Sequence, residues 1–258
     1  MRLADLGDYW KLRGLIEDPW SFVRRRKRPS SEPHYDVRFK DGGSIRLRNA
    51  PMDRHIFNNV FARDEYRLNP FAPGSLGTVL DVGAHIGTFA VRVAPLAKRV
   101  ICFEPMPDNF ALLQQNVRRL AHVAVVNRAV GAERGTQTIY ASANPSAHSM
   151  FPAEADRRGS PVQVETVTLA DVFAEHAVET CDMLKLDCEG AEYPILLGLA
   201  GEFWPRIRRI EMEYHPVDGA APEWSGRHLA GHLEKAGYKV DLIPARHKEG
   251  KGHIFASR

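Results

Sequence analysis

The chain has 258 residues, 44% of them hydrophobic and 26% charged, which is material for one large core with a small appendage. Its formal charge of +3 is a small excess, much of it in the run "RRRKR" from Arg24 to Arg28, so a dedicated RNA enzyme is not expected. No apolar stretch approaches the roughly 18 residues of a membrane helix, acids interrupt the N-terminal apolar positions, and Cys102, Cys181 and Cys188 form no CxxC pair; a soluble, cytoplasmic chain with reduced thiols is expected.

Helical spacing of Leu3, Leu6, Trp10, Leu12 and Leu15 opens the chain. The basic run follows, read as a solvated helix end or linker, with contact to an anionic surface as the alternative, and "RPSSEP" closes it. Alternation on both sides of Asp41-Gly42-Gly43 predicts a β-hairpin, and "DRHIFNNVFARDEYRLNPF" a helix. Residues 1–48 are therefore expected to form a helical and hairpin extension, and 49–258 the main domain.

From Thr78 short apolar strands alternate with helical segments. "TVLDV", "RVICFE", "VAVVN", "DMLKLD" and "RIEMEY" read as strands, and 86–97, 107–119, 191–200 and 226–236 as helices. Strands without two-residue alternation are buried on both faces, and the strand–helix–strand rhythm requires parallel pairing: an α/β, doubly wound, Rossmann-like sheet. "TQTIYAS" and "VQVETVTL" add strand material around a polar loop at 142–161. "YKVDLI" and "HIFAS" are joined too closely for a helix, so the last strand returns antiparallel.

Ligands of such sheets lie at the carboxyl ends of the strands. "VLDVGAHIGTFA" places Asp81, Gly83 and Gly87 there, and Glu104, 17 residues beyond Gly87, ends the next strand where it can accept ribose hydroxyls. A pyrophosphate normally meets GxGxxG without a preceding acid; here the run is G-A-H-I-G and Asp81 precedes it, which suits the ammonium and sulfonium of S-adenosylmethionine better than a nicotinamide dinucleotide. "MLKLDCEGAEYPILLGL" is the second acidic stretch. Lys185 and Asp187 share a strand face, Glu189 and Gly190 form the exit turn, and Glu192 reads as a first-turn helix acid.

"VLDVGAHIGTFA", "CFEPMPDNFALLQQNV", "NRAVG" and "LKLDCEGAEYPILLG", in this order, resemble the FkbM family of S-adenosylmethionine-dependent methyltransferases over about residues 50 to 215. The most specific piece is "KLDCEGAE". The resemblance implies a seven-stranded class I methyltransferase fold and O-methylation of sugar or natural-product hydroxyls. On the glycine loop it implies donor contacts at Asp81, Gly83, Ala84, His85 and Gly87. Beyond the loop it implies Glu104, Pro105, Asn109, Asn127 and Ala129, together with Tyr66 and Asp187. His85 stands where the family usually has Asn, and Glu65 and Tyr66 are expected to close over the donor.

Methyl transfer needs the acceptor oxygen held in line and its proton removed. Candidate catalytic residues are Asp187, Glu189, Glu213 and His215, with His215 suited to accept a proton near neutrality. Asp187, Glu213 and His215 could instead hold Mg²⁺, but the adjacent acid pair of metal-dependent sugar O-methyltransferases is missing, and metal dependence is not favoured. The absence of (N/D)PP(Y/F) argues against base amines as acceptors. His148 and Ser149 could line the acceptor side, and Trp204, Tyr214 and Trp224 could pack on it. The expected partner is a small-molecule or sugar hydroxyl, with no nucleic acid and no membrane span. A catalytically inactive binding or scaffold protein and a nicotinamide-dependent oxidoreductase are the competing readings.

Overall fold

The computed structural model describes residues 3–25, 32–140, 161–217, 221, 223–246 and 249–258. Helices α1 (Leu3–Leu12) and α2 (Pro19–Arg24) come first, α2 capped by Asp18, whose Oδ1 accepts from the Ser21 amide at 2.8 Å. Strands β1 (His34–Arg38) and β2 (Ser44–Arg48) form the expected antiparallel hairpin, with Gly42 at φ +89° in its turn. Val37, Ile45 and Leu47 pack with Leu12 and Phe22, and this same apolar cluster takes in Ile86 and Leu112 of the main body.

Helix α3 (Pro51–Phe57) runs into a π-helical turn, Asn58–Ala62, and stops, short of the helix expected across 53–71. The reason is local. Asp64 and Arg67 adopt positive φ, and the Asp64 carboxylate takes the Leu68 amide at 2.7 Å, offering the backbone an alternative to helix.

Then follow β3 (Leu76–Val82), α4 (Thr88–Val93), β4 (Ala97–Phe103), α5 (Pro107–Val117) and β5 (Val123–Val126). The insertion holds β6 (Ala129–Val130), β7 (Gly135–Tyr140), β8 (Pro161–Val167) and α6 (Leu169–Glu175). The chain ends with β9 (Met183–Leu186), α7 (Glu192–Leu197), β10 (Arg209–Tyr214), α8 (Gly226–Lys235), β11 (Lys239–Pro244) and β12 (Gly252–Ser257).

The main sheet has seven strands in the order β11-β12-β10-β9-β3-β4-β5, parallel except for β12, which is antiparallel to both neighbours. Its two faces are both buried, as the unbroken apolar runs require. Leu80, Val82, Ile101, Phe103 and Leu186 belong to one cluster, while Val79, Val100, Cys102 and Met183 belong to the other. The short connection makes β11 and β12 a hairpin, and the more apolar β12 takes the inner place. Strand β11, with Lys239 and Asp241 exposed, is left as the edge.

The insertion does not widen this sheet. Its strands make a separate sheet, β6-β8-β7, whose Ala129, Ile139 and Val164 pack with Met106 beside the carboxyl end of β4. The strand read through Leu169 ends sooner, because Thr168 and Asp171 form a reciprocal capping box that starts α6. All three cysteines are unpaired, and among the described residues no helix is long and apolar enough to cross a membrane.

Candidate active site

Register builds the site. Val82 is aligned with Phe103 on one side and Leu186 on the other, and Leu186 with Met212, so the next residues, Glu104, Gly83, Asp187 and Glu213, emerge in a row at the carboxyl edge of four adjacent strands. Strands β4 and β9 flank β3 on opposite sides, so the crevice opens where strand order reverses.

Gly83 sits at φ +76°, and a Cβ there would lie 1.9 Å from the Asp187 carbonyl oxygen; only glycine lets the two loops pass. Gly87, at φ +87°, is needed for a different contact, since a Cβ would meet Leu113 of α5 at 2.7 Å. It does not line the crevice. Glu104 does, and its Oε2 accepts from the His85 amide at 2.8 Å while Oε1 accepts from Met106 at 2.9 Å and from Asn109 Nδ2 at 3.3 Å. Burial raises its pKa, and those three donors work against the shift. Ala84, His85, Pro105, Asn109 and Ala129 share the same wall. Asn127 stands behind it, donating to the carbonyls of Glu104 and Pro105 at 2.8 and 3.0 Å.

Asp81 is fully buried and absent from the crevice wall. Its Oδ1 is 3.0 Å from Lys185 Nζ, which also donates to the Gly83 carbonyl at 2.7 Å. The carboxylate from which a preference for a cationic ligand was read is thus offset by a cation two strand positions before Asp187. Lys185 lines the crevice, as its sharing of a strand face with Asp187 makes readable; its partnership with Asp81 leaves no mark in the sequence. Thr88 lines it too, with a buried hydroxyl that has no partner among the described residues.

On the opposite rim, Tyr66 donates its hydroxyl to Asp187 Oδ2 at 3.2 Å. Glu65 lies in an adjoining depression, taking Asn59 Nδ2 at 2.9 Å, and burial with Glu213 and Asp187 nearby pushes it up to about 7. His215 is buried among acids. Its Nδ1 is 3.1 Å from Glu192, and Nε2 faces Glu213, Glu189 and Asp187 at 3.5, 3.6 and 3.8 Å. Burial opposes its charge, but Glu192, Glu213 and Glu189 outweigh it and hold the imidazole pKa well above 6.5. These acids favour the charged imidazole and so count against His215 as the proton acceptor expected from its strand-end position, whereas the Lys251 ammonium, 3.2 Å from Nε2, favours a lone pair there.

Glu192 also accepts from the amides of Cys188 and Gly190, so this first-turn acid shapes the exit loop as well as orienting His215. Glu213 is held well below the usual range by His215 and Lys251 in spite of its burial. Glu189 lines the crevice at φ +51°, and burial pushes its carboxyl up to about 7.

Asp187, Glu213 and His215 can converge on one point, as a cation site requires. Lys251 Nζ already stands there, 2.9 Å from Glu213 Oε1 and 3.2 Å from His215 Nε2, so a divalent ion would have to displace it. Trp204 and Tyr214 are core residues; Trp204 packs on Tyr238, and the Tyr214 ring covers Gly226 and Gly252. Trp224 stacks on Tyr193. None of the three lines the crevice, and His148 and Ser149 lie outside the described residues.

A seven-stranded sheet with this order, one inserted antiparallel strand and a crevice over the first glycine loop defines a class I methyltransferase fold. The sequence profile of the methyltransferase FkbM domain matches residues 81–240, and the chain belongs to that family of S-adenosylmethionine-dependent methyltransferases. It is 29% identical over 220 residues to the 31-O-demethyl-FK506 methyltransferase FkbM of Streptomyces tacrolimicus, covering 72% of this chain and 84% of that one. The 2-O-methyltransferase NoeI of Sinorhizobium fredii is 27% identical over 53% of this chain and 62% of its own. A crystal structure of a methyltransferase FkbM from Methylobacillus flagellatus superimposes with a TM-score of 0.46 at 14% identity, over 80% of this chain and 53% of that one.

Proposed function

We propose that the protein methylates a hydroxyl of a small molecule or sugar, with the donor held between Gly83–His85 and Glu104 and the acceptor entering beside Asp187 and Glu189. The observation that carries this reading is the row Glu104, Gly83, Asp187, Glu213 across four strand ends, with the acid suited to a ribose on one side of the glycine loop and the acids suited to an acceptor proton on the other. The names of two relatives, a 31-O-demethyl-FK506 methyltransferase and a 2-O-methyltransferase, support a hydroxyl as acceptor.

The residues fit S-adenosylmethionine. Glu104 would take the ribose hydroxyls, Met106, Ala129 and Ile139 would offer an apolar wall to the adenine, and the Thr88 hydroxyl, without a partner among the described residues, would suit the polar methionine end. When bound, the donor supplies an electrophilic sulfonium methyl. With Asp81 offset by Lys185, attraction for that cation falls to Asp187 and Glu189 on the rim.

Four acids or bases were candidates for taking the acceptor proton, and the surroundings separate them. The acids around His215 favour its charged form, and Glu213 is engaged by Lys251. Glu189, held near 7 and open to the crevice, is the base suited to neutral pH, while Asp187, fixed by Tyr66, orients the hydroxyl. Lys251 takes the place a metal would need, so transfer is expected to survive a chelator.

The test is calorimetry with S-adenosylmethionine and its demethylated product, followed by labelled methyl transfer to a panel of hydroxylated metabolites. Glu104→Ala should weaken donor binding by about 100-fold, the loss of two charged hydrogen bonds. Absence of donor binding in the parent protein would leave a scaffold role in its place.

A further inference from the structure

The crevice wall around Glu104 is braced from outside the central sheet. Arg48, the last residue of β2, is held flat by the buried Asp53 of α3, with Nε 2.9 Å from Oδ2 and Nη2 3.0 Å from Oδ1. Its Nη1 donates to Asn109 Oδ1 at 2.8 Å, and Nη2 also meets His85 Nε2.

A guanidinium has donors only, and that constrains both neighbours. Asn109 has to present its carbonyl oxygen to Arg48, which turns its amide nitrogen to Glu104, 3.3 Å away. His85 has to present a lone pair at Nε2, which leaves its ring proton on Nδ1. Asn109, His85 and Glu104 all line the crevice. Two residues earlier, Arg46 anchors the same strand. Its amide donates to Asn116 Oδ1 at 2.8 Å, its carbonyl accepts from Asn116 Nδ2 at 3.0 Å, and Asn116 donates to the Ile86 carbonyl at 2.8 Å. Strand β2 is therefore locked to the glycine loop, although Arg48 and Asp53 both precede the family-matched stretch 81–240.

We infer that Arg48 is a positioning residue for the methyl donor: acting through Asn109 and His85, it sets which way the hydrogen-bonding groups around Glu104 point, so the N-terminal hairpin is part of the donor site. The inference rests on the reading of this crevice as the donor site. A merely structural Arg48 would change stability without its effect on donor affinity depending on Asn109.

The experiment is a double-mutant cycle on the dissociation constant of S-adenosylmethionine, measured by calorimetry. Arg48→Met is combined with Asp53→Asn, so that no bare carboxylate stays buried, and compared with Asn109→Ala and with all three changes together. The Arg48→Met/Asp53→Asn protein should bind the donor about tenfold more weakly, the scale of one charge-assisted hydrogen bond. Adding Asn109→Ala should cost clearly less than it costs in the parent, because the two changes remove one chain of contacts. Donor affinity within twofold of the parent, or losses that multiply, would overturn the inference. If the paired variant does not fold, Arg48→Lys keeps a charge against Asp53 and takes its place in the cycle, with the same two outcomes deciding. A parent that binds no donor would instead remove the donor-site reading itself, before any variant is compared.

Discussion

Lys185 Nζ lies 3.0 Å from Asp81 Oδ1 and 2.7 Å from the Gly83 carbonyl, so a cation on β9 holds both the acid one residue before the end of β3 and the loop that leaves it. Burial works against that charge, but Asp81 and Asp187 outweigh it and keep Lys185 protonated. Removing the cation alone strands a carboxylate in the core. Lys185→Met should lower stability by about 3–5 kcal/mol, while Lys185→Met with Asp81→Asn should recover most of the loss. Urea denaturation of the single and double variants checks this, and equal losses in both would show that the pair is not what holds the strands.

The two glycine classes predict opposite outcomes for the same change. Gly83→Ala drives a methyl to within 1.9 Å of the Asp187 carbonyl, and either β9's exit loop or the glycine loop has to shift. Donor binding should be lost, with a stability cost of about 1–3 kcal/mol. Gly42→Ala at the hairpin turn meets nothing within 4 Å and suffers only its φ of +89°. It should cost about 1 kcal/mol and leave donor affinity intact. Melting curves and calorimetry on the two proteins measure both effects.

Glu189→Gln removes the proposed base without changing shape. The expected result is kcat/KM lower by about 10²–10⁴ with donor affinity preserved. In the parent, a carboxyl held near 7 is ionised only above that pH, so the rate should fall as pH drops through about 7. The acid limb should vanish in the variant; its persistence would move the base elsewhere on the rim.

Glu211 tests burial without chemistry. It is fully buried on β10, and burial pushes its carboxyl from 4.5 up to about 7, although Arg209 Nη1 lies 3.3 Å away. Between those values the folded chain holds a proton that the unfolded chain has released, so rising pH favours unfolding across that window. Glu211→Gln removes this slope. Its advantage over the parent should be small at pH 5 and reach up to about 3 kcal/mol by pH 8, read from denaturation midpoints at both pH values. Glu65 and Glu189, raised to about 7 as well, add to the slope in the same direction, while His176, His232 and His253, lowered by burial, act in the opposite one.

Much of the fold was legible because it is written in local patterns. Strands such as "TVLDV" and "RIEMEY" carry apolar residues on both faces, and the Asp41-Gly42-Gly43 turn has the positive φ that its hairpin needs. α6 was missed although its signal was present: Thr168 and Asp171, three apart, are a capping box, but the β-branched run before them reads on as strand. The Asp64 turn was hidden by a helical spacing that extends past it, since a carboxylate's claim on the backbone four residues on leaves no periodic mark.

Charge states were not legible. His215 looks like a neutral-pH base beside a strand end, and only the packing of α7 and the exit loop against β10 adds Glu192 and Glu189 to the Glu213 that precedes it by two residues. Asp81 looks like a free acid at the loop until register aligns it with Lys185 on β9. Arg48 looks like a hairpin-end cation, and nothing near it in sequence announces Asn109, 61 residues away.

From its residues alone this chain determined a doubly wound sheet, its glycine loop and the acids at its strand ends, since periodicity, turn chemistry and strand-end position act over a few residues. Tertiary structure decided which of those acids is neutralised, which is raised toward neutrality and which side of the crevice the N-terminal hairpin braces. Those outcomes depend on distances of about 3 Å between groups far apart in the chain and on burial that strengthens each charge's effect on the next, and neither quantity exists until the strands are in register.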